Sequence, residues 1–121
     1  MARICYRRID AIAPAEDACM ILIVWEFRVK ESIRSKFLRY YSSTGVWAML
    51  FRKSPAYRET KLPQDTRDEN RYVTIDSWET EEAFESFQKQ FSEEYRALDK
   101  ECEEFTEAER KIGLFKDNSM N

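Results

Sequence analysis

Asp76 is the residue whose setting in the sequence most favours chemistry. It lies in the segment Arg71–Trp78, whose alternation predicts a strand with Tyr72, Thr74, Asp76 and Trp78 on one face. A buried carboxylate on such an apolar and aromatic face must be hydrogen-bonded or paired, and this setting can raise its pKa enough for it to act as a base. We therefore take Asp76 as a candidate catalytic residue. The alternative is a purely structural hydrogen-bond acceptor.

Other candidates flank this strand in the predicted elements. Trp47 and Arg52 fall on one helical segment and Tyr40 on the segment before it. With Tyr72 and Trp78, they are predicted to line a cavity between helices and sheet, where Arg52 is a second candidate catalytic residue that pairs with an anionic substrate. The other four are candidate substrate-binding residues. The alternative is core packing for the aromatic residues and a solvent-exposed position for Arg52.

The composition excludes several kinds of active site. The chain contains no histidine, which rules out a Ser-His-Asp triad, histidine metal ligands and a histidine-ligated haem. It also lacks a glycine-rich phosphate loop of the dinucleotide-binding kind. We therefore expect no metal and no cofactor.

The cysteines and the hydropathy pattern predict a cytoplasmic protein. Cys5, Cys19 and Cys102 are an odd set without C-x-x-C spacing, which favours a reducing compartment over a disulfide scaffold. Cys102 falls on the apolar stripe of a helix and is predicted to pack in the core. The longest apolar run, residues 18–25, is too short to span a membrane, and charges interrupt the N-terminal segment where a secretory signal would need an apolar region.

Charge also bears on the partners of the chain. Its formal net charge is −3, and the positive residues are spread over several elements rather than clustered in a basic stripe. We therefore expect no nucleic-acid partner.

The first half of the domain is predicted to form a strand followed by helices. Met20–Val29 is rich in β-branched and aromatic residues, as in a strand covered on both faces. Ser32 is predicted to cap the next helix, Gly45 to break or kink it, and a second helical segment to end near Lys53, before a proline. Met20 stands at the start of the first strand and is also a candidate initiator.

The second half is predicted to form a hairpin, a long helix and a last strand. Residues 57–64 and 71–78 flank a polar segment and are typical of an antiparallel hairpin, and Thr80 is a good N-cap. The amphipathic helix, with a kink near Ser92, is predicted from apolar residues at an average spacing of 3.5: Phe84, Phe87, Phe91, Tyr95, Leu98, Cys102 and Phe105. Thr106 and Glu109 fit a capping box for one short turn, and Lys111–Phe115 is predicted as the final strand.

This order, β-α-β-β-α-β, predicts an α+β ferredoxin-like fold with an antiparallel sheet. Residues 1–19 are predicted to be an extension outside the core, residues 20–116 the domain, and residues 117–121 a tail. Helices would cover one sheet face only, so we expect a second copy of the chain to cover the other.

The residues also resemble a known family, the antibiotic biosynthesis monooxygenase (ABM) group of dimeric α+β barrels, over about residues 20–115. The resemblance rests on the order and spacing of these motifs: Gly45–Phe51, Pro55-Ala56-Tyr57 with Thr60, Arg71–Trp78, Tyr95, Leu98-Asp99 and Ile112-Gly113.

The resemblance implies a homodimer and a small enzyme. Characterised monooxygenases of this group oxidise aromatic, often phenolic, substrates with dioxygen and without metal or flavin. The superfamily also includes haem-degrading enzymes, isomerases and peroxidases. The expected function is a cofactor-independent monooxygenase acting on an aromatic or enolic small molecule, and the alternative is a non-catalytic homodimeric binding or structural protein.

Overall fold

The computed structural model describes residues 20–118 of the chain. The strands are β1 (Ile21–Val29), β2 (Tyr57–Lys61), β3 (Arg71–Trp78) and β4 (Thr106–Lys116). The helices are α1 (Arg34–Tyr41), α2 (Val46–Phe51), α3 (Glu81–Gln90) and α4 (Ser92–Cys102), with 3-10 turns at Glu31–Ile33 and Glu103–Phe105. The predicted extension, residues 1–19, lies outside the described residues, as do residues 119–121 of the predicted tail.

One antiparallel sheet in the order β2-β3-β1-β4 organises the domain. This order, with helices between β1 and β2 and between β3 and β4, is the ferredoxin-like arrangement. The predicted α+β fold class is therefore confirmed. None of the helices in the described range has the length and apolar character needed to cross a membrane.

Gly45 lies between α1 and α2, where the backbone of α1 is too close to leave room for a side chain. A Cβ atom at this position would lie 2.5 Å from the carbonyl oxygen of Arg39 and 2.8 Å from that of Tyr40. The predicted break is confirmed. The two short helices that result direct Tyr41 and Trp47 towards the sheet, where both are buried.

The predicted long helix bends where its periodicity suggested. α3 ends at Gln90, Phe91 has non-helical dihedral angles (φ −112°, ψ 34°), and α4 begins at Ser92. Thr80 caps α3, since its hydroxyl accepts a hydrogen bond of 3.0 Å from the amide of Ala83. Cys102, at the end of α4, is buried in the core as predicted.

Three details of the prediction were wrong. Ser32 lies inside the first 3-10 turn, and no side chain caps that turn or α1. The segment with Thr106 and Glu109 is not a capped turn, because β4 starts at Thr106 and pairs with β1 along its whole length. The first hairpin strand ends at Lys61 rather than Gln64, which makes an isolated bridge to Tyr72.

Two residues of β4, Glu107 and Ile112, are extruded from the pairing with β1. Val24 pairs with Gly113 and Trp25 with Lys111, so Ile112 has no partner on β1. Gly113 has a φ of 153°, a conformation that glycine adopts more readily than other residues. This bulge sets the register in which Glu109 lies opposite Phe27 on the helix-facing side of the sheet.

The second face of the sheet has no covering element within the described part of the chain. Alternation along the strands assigns to it an apolar group that is partly or fully exposed: Leu22, Val24, Val73, Ile75 and Phe115. The same face carries an ion-pair network in which Glu26 binds Arg71 (2.5 Å) and Arg110 (2.7 Å). An apolar centre beside charges is typical of a surface that another protein covers.

Candidate functional site

A cavity of about 70 Å³ lies between the helices and the sheet and is partly open to the surface. Six aromatic side chains form most of its wall: Trp25, Phe27, Tyr41, Trp47, Phe51 and Tyr95. The polar lining consists of Thr60, Thr74, Asp76, Asp99 and Glu109. This volume is about that of two water molecules and about half that of a cavity that encloses benzene. An aromatic ligand would therefore enter only partly unless a wall side chain moves.

Asp76 occupies the inner wall because β3 runs through the middle of the sheet. Its neighbours across the strands are Ile23 on β1 and Thr60 on β2. The Thr60 hydroxyl donates a hydrogen bond of 2.6 Å to Oδ1 of Asp76, and the Tyr57 hydroxyl lies 2.7 Å from the same Thr60 oxygen. Because Thr60 gives its proton to Asp76, Tyr57 is the donor in the second bond. Oδ2 of Asp76 has no hydrogen-bond partner among residues 20–118 and is free to accept a proton.

Burial raises the pKa of Asp76 to about 6, although the Thr60 hydrogen bond acts in the opposite direction. The cause is desolvation, which penalises the charged carboxylate. Since the acid form predominates only below this value, Asp76 is mostly ionised at neutral pH. It is then a stronger base than an ordinary aspartate by about two pKa units.

Two further carboxylates, Asp99 on α4 and Glu109 on β4, lie at the mouth of the cavity, where both residues are exposed. Partial burial raises the pKa of each, and neighbouring carboxylates add to the effect: Glu103 beside Asp99, and Asp99 and Glu103 beside Glu109. No ion pair of the described residues involves either side chain or Asp76. The mouth is therefore acidic, and its carboxylates form no ion pair with a described residue.

The aromatic wall also contributes polar hydrogens. Burial raises the pKa of Tyr95 to about 12 and raises that of Tyr41 further, so both hydroxyls stay protonated at neutral pH. The indole N–H of Trp47 is buried near the hydroxyl of Tyr41 and the thiol of Cys102, but it makes no hydrogen bond of normal geometry in the described part of the chain. A donor of this kind can bind a ligand oxygen. Within the same part of the chain, no group of three side chains is arranged to hold a metal ion.

The structure brings together two of the six residues singled out in the sequence, because Asp76 and Trp47 both line the cavity. Tyr72 and Trp78 share the face of Asp76 but lie nearer the ends of β3. Trp78 is fully buried against Phe51 and Phe87, and Tyr72 packs on Phe37 and accepts a hydrogen bond of 2.9 Å from Gln64. These two residues belong to the core outside the cavity.

Tyr40 and Arg52 also lie away from the cavity. The Tyr40 hydroxyl donates to Glu101, and its ring contacts the ring of Phe105. Arg52 follows the last turn of α2, is exposed, and donates a hydrogen bond of 3.1 Å to the carbonyl oxygen of Ser43. Tyr40 misses the cavity because consecutive residues of a helix point about 100° apart. Its neighbour Tyr41 faces the sheet instead.

Sequence reasoning missed most of the remaining lining residues. Thr74 was predicted on the correct strand face but not as a cavity residue, and Trp25 and Phe27 alternate along β1 in a way that would have placed them together. Asp99 gave no such signal. Glu109 was hidden because its segment was predicted as a turn.

The fold and the cavity define a two-layer α+β protein with a small, aromatic-walled cavity between its layers. A family model described as "Antibiotic biosynthesis monooxygenase" (ABM) matches residues 20–107. The chain belongs to this family. No curated protein sequence gives a significant match.

Solved structures with the same fold include SnoaB, a cofactor-independent oxygenase from Streptomyces nogalater, with 23% identity and a TM-score of 0.57, over 85% of this chain and 97% of SnoaB. A candidate antibiotic biosynthesis monooxygenase from Nitrosomonas europaea has 12% identity and a TM-score of 0.62, over 83% of this chain and 91% of its own. A conserved protein from Methanosarcina mazei has 14% identity and a TM-score of 0.58, over 83% and 94%. At these identities the likeness shows the fold.

Proposed function

We propose that the protein is a monooxygenase that oxidises an aromatic or enolic small molecule with dioxygen and without a cofactor. The observation that carries the proposal is Asp76, a carboxylate with a raised pKa and one free oxygen in the wall of an aromatic cavity. Membership of the ABM family supports the reaction class. SnoaB, described as a cofactor-independent oxygenase, has the same fold.

The proposed first step is removal of a proton from the substrate by Oδ2 of Asp76. A phenol or an activated CH₂ group then becomes an electron-rich anion that dioxygen can oxidise. For an activated CH₂ group the net reaction converts CH₂ and O₂ to C=O and H₂O. For a phenol it converts the O–H, one ring C–H and O₂ to a quinone and H₂O. In both reactions the substrate supplies all four electrons and no external reductant is needed. The hydrogen bond from Thr60 to Oδ1 holds the carboxylate of Asp76 in place and leaves Oδ2 available to accept the substrate proton.

A second candidate function is suggested by the size of the cavity. At about 70 Å³, with six aromatic side chains around it, the space is small for a ring system. A non-catalytic homodimeric protein that binds a smaller apolar ligand would have the same wall. Such a protein has no use for a basic Asp76, which is why we place this function second.

Oxygen consumption distinguishes the two functions. Purified protein is mixed with phenolic and enolic compounds in buffer treated to remove metals and flavins, and dioxygen uptake and product oxygenation are followed. We expect turnover that rises with pH around a midpoint near 6, the pKa of Asp76. Asp76→Asn should lower turnover by about 10²-fold.

Arg52→Met is the matched control, because Arg52 is charged, close in sequence to the cavity wall, and bound to Ser43 instead. Its turnover should equal that of the unaltered protein. Equal loss in both variants, or turnover unaffected by Asp76→Asn, would contradict the role of Asp76. Binding of compounds without any oxygen uptake would favour the second function.

We further propose that the protein is a homodimer and cytoplasmic. The apolar residues Leu22, Val24 and Ile75 lie on the sheet face that no described element covers, and a second copy would bury them symmetrically. The cytoplasmic assignment rests on the odd number of cysteines, which favours a reducing compartment.

A further inference from the structure

All cavity-lining side chains that carry a charge at neutral pH are acidic. Asp76 lies at the inner wall and Asp99 and Glu109 at the mouth, whereas no lysine or arginine lines the space. The two mouth carboxylates come from different elements, α4 and β4, and reach one opening because β4 pairs with the full length of β1. A ligand that enters the cavity therefore passes between two negative charges.

None of these carboxylates forms an ion pair with another described residue, although Glu109 also borders a second surface pocket with Arg28, Arg71 and Arg110. Among the residues described, the ion pairs lie elsewhere, and the acidic groups near the mouth include Glu103, which raises the pKa of both Asp99 and Glu109. Arg52, which the sequence predicted to bind an anionic substrate, instead donates a hydrogen bond to the carbonyl oxygen of Ser43. An anionic substrate would meet repulsion at the mouth and no counter-charge in the lining.

The aromatic walls of the cavity also favour a positively charged ligand. The faces of Trp, Tyr and Phe rings are negative and attract cations, most strongly for Trp, and Trp25 and Trp47 are both in the lining. Trp47 is only 9% exposed, and its indole N–H, close to the hydroxyl of Tyr41 and the thiol of Cys102, makes no hydrogen bond of normal geometry within residues 20–118. A neutral oxygen on the ligand, such as that of a phenol, would accept this hydrogen bond while its own proton faces a carboxylate.

We propose that the ligand is a phenolic amine, with its neutral phenol hydroxyl directed into the cavity near Asp76 and Trp47, where a wall side chain moves to admit the ring, and its protonated amine at the mouth between Asp99 and Glu109. That this ligand is a substrate rests on the proposed function. The preference for a cationic ligand concerns binding alone and does not depend on the reaction. Asp99 and Glu109 are then specificity-determining residues, and the protein discriminates against phenolic acids of the same size.

The test compares three ligands that differ only in the group at the end of a short side chain: tyramine (cationic), tyrosol (neutral) and para-hydroxyphenylacetate (anionic). Binding is measured by calorimetry and by quenching of tryptophan fluorescence at low ionic strength. An exposed ion pair contributes a factor of roughly two to five. With attraction for one ligand and repulsion for the other, we expect tyramine to bind about tenfold more tightly than para-hydroxyphenylacetate, with tyrosol between them.

Variants identify the source of the preference. The double variant Asp99→Asn with Glu109→Gln should bring the three affinities to within about twofold, and added salt should reduce the preference in the unaltered protein. Glu104→Gln is the matched control, because Glu104 is an exposed carboxylate next to Glu103 that does not line the cavity. It should leave the preference unchanged.

Several outcomes would overturn the proposal. These are equal or tighter binding of para-hydroxyphenylacetate, a tyramine preference that survives in the double variant, or no tyramine binding at millimolar concentration. The test is separate from that of the reaction. A charge preference without dioxygen uptake would contradict the proposed monooxygenase activity alone, and dioxygen uptake with phenolic acids would contradict the phenolic amine alone.

Discussion

Replacing Asp76 by asparagine is expected to stabilise the protein at neutral pH while it removes the proposed base. The pKa of Asp76 is about 6 in the folded protein, against 3.8 for an unperturbed aspartate. This difference of roughly two units corresponds to about 3 kcal/mol, by which ionisation of Asp76 lowers the free energy of unfolding. The figure is an upper bound, because the cavity is partly open to solvent.

The sign follows from which state binds the proton more tightly. Because the folded-state pKa is raised, the folded protein holds the proton between about pH 4 and pH 6 while the unfolded chain has lost it. The free energy of unfolding is therefore highest below pH 4, falls as the pH rises to about 6, and is lowest above it. Asparagine does not titrate, and its side-chain oxygen can still accept the hydrogen bond from Thr60.

Urea unfolding of both proteins from pH 4 to pH 8, followed by tryptophan fluorescence, measures the effect. We expect Asp76→Asn to be the more stable by up to about 3 kcal/mol at pH 8, or roughly 10–20 °C in midpoint temperature, and the difference to disappear near pH 4. Asp99→Asn is the control. Asp99 is exposed, so its effect should be much smaller. A destabilised Asp76→Asn at pH 8, or a difference independent of pH, would refute the reasoning.

Three other outcomes are expected. Thr60→Val removes the hydrogen bond that favours the ionised form of Asp76, and should move the midpoint of the pH-rate profile upwards by about one unit, whereas Thr74→Val in the same cavity should not. Light scattering should give a dimer of the 14.6 kDa chain, which Ile75→Asp on the uncovered sheet face dissociates and Met49→Asp on α2 does not; a monomer before substitution would refute this. A chain that starts at Met20 should keep its midpoint temperature, and a loss of several degrees would show that the preceding residues pack on the domain.

The elements that the sequence predicted well are those in which burial dominates. The spacing of Phe87, Phe91 and Tyr95 predicts the helical region and its bend, because these side chains face the core on both sides of the break. Alternation in β3 likewise predicts that Asp76 faces the helices. A helix or strand that packs on a hydrophobic core carries apolar residues at the period of that element, so the sequence predicts the element.

The elements that were mispredicted are those in which burial is weak. β4 is an edge strand whose residues are mostly exposed, so it carries little apolar alternation and its first half looks like a capped turn. Glu109 was lost from the candidate site for this reason. The choice between Tyr40 and Tyr41 depended instead on the rotation of α1 about its axis, which is set by tertiary packing of its residues Phe37 and Tyr41 on Phe27 of β1.

The distribution of charge argues that the cavity is more than a packing defect. On the opposite sheet face the protein pairs its charges closely, as in the network of Glu26 with Arg71 and Arg110. In the cavity, Asp76 is desolvated without a cation, and its ionisation opposes folding at neutral pH. An asparagine would keep the hydrogen bond from Thr60 without that cost, so the fold does not require a carboxylate at this position. The proposed reaction, which needs a base, would explain its presence.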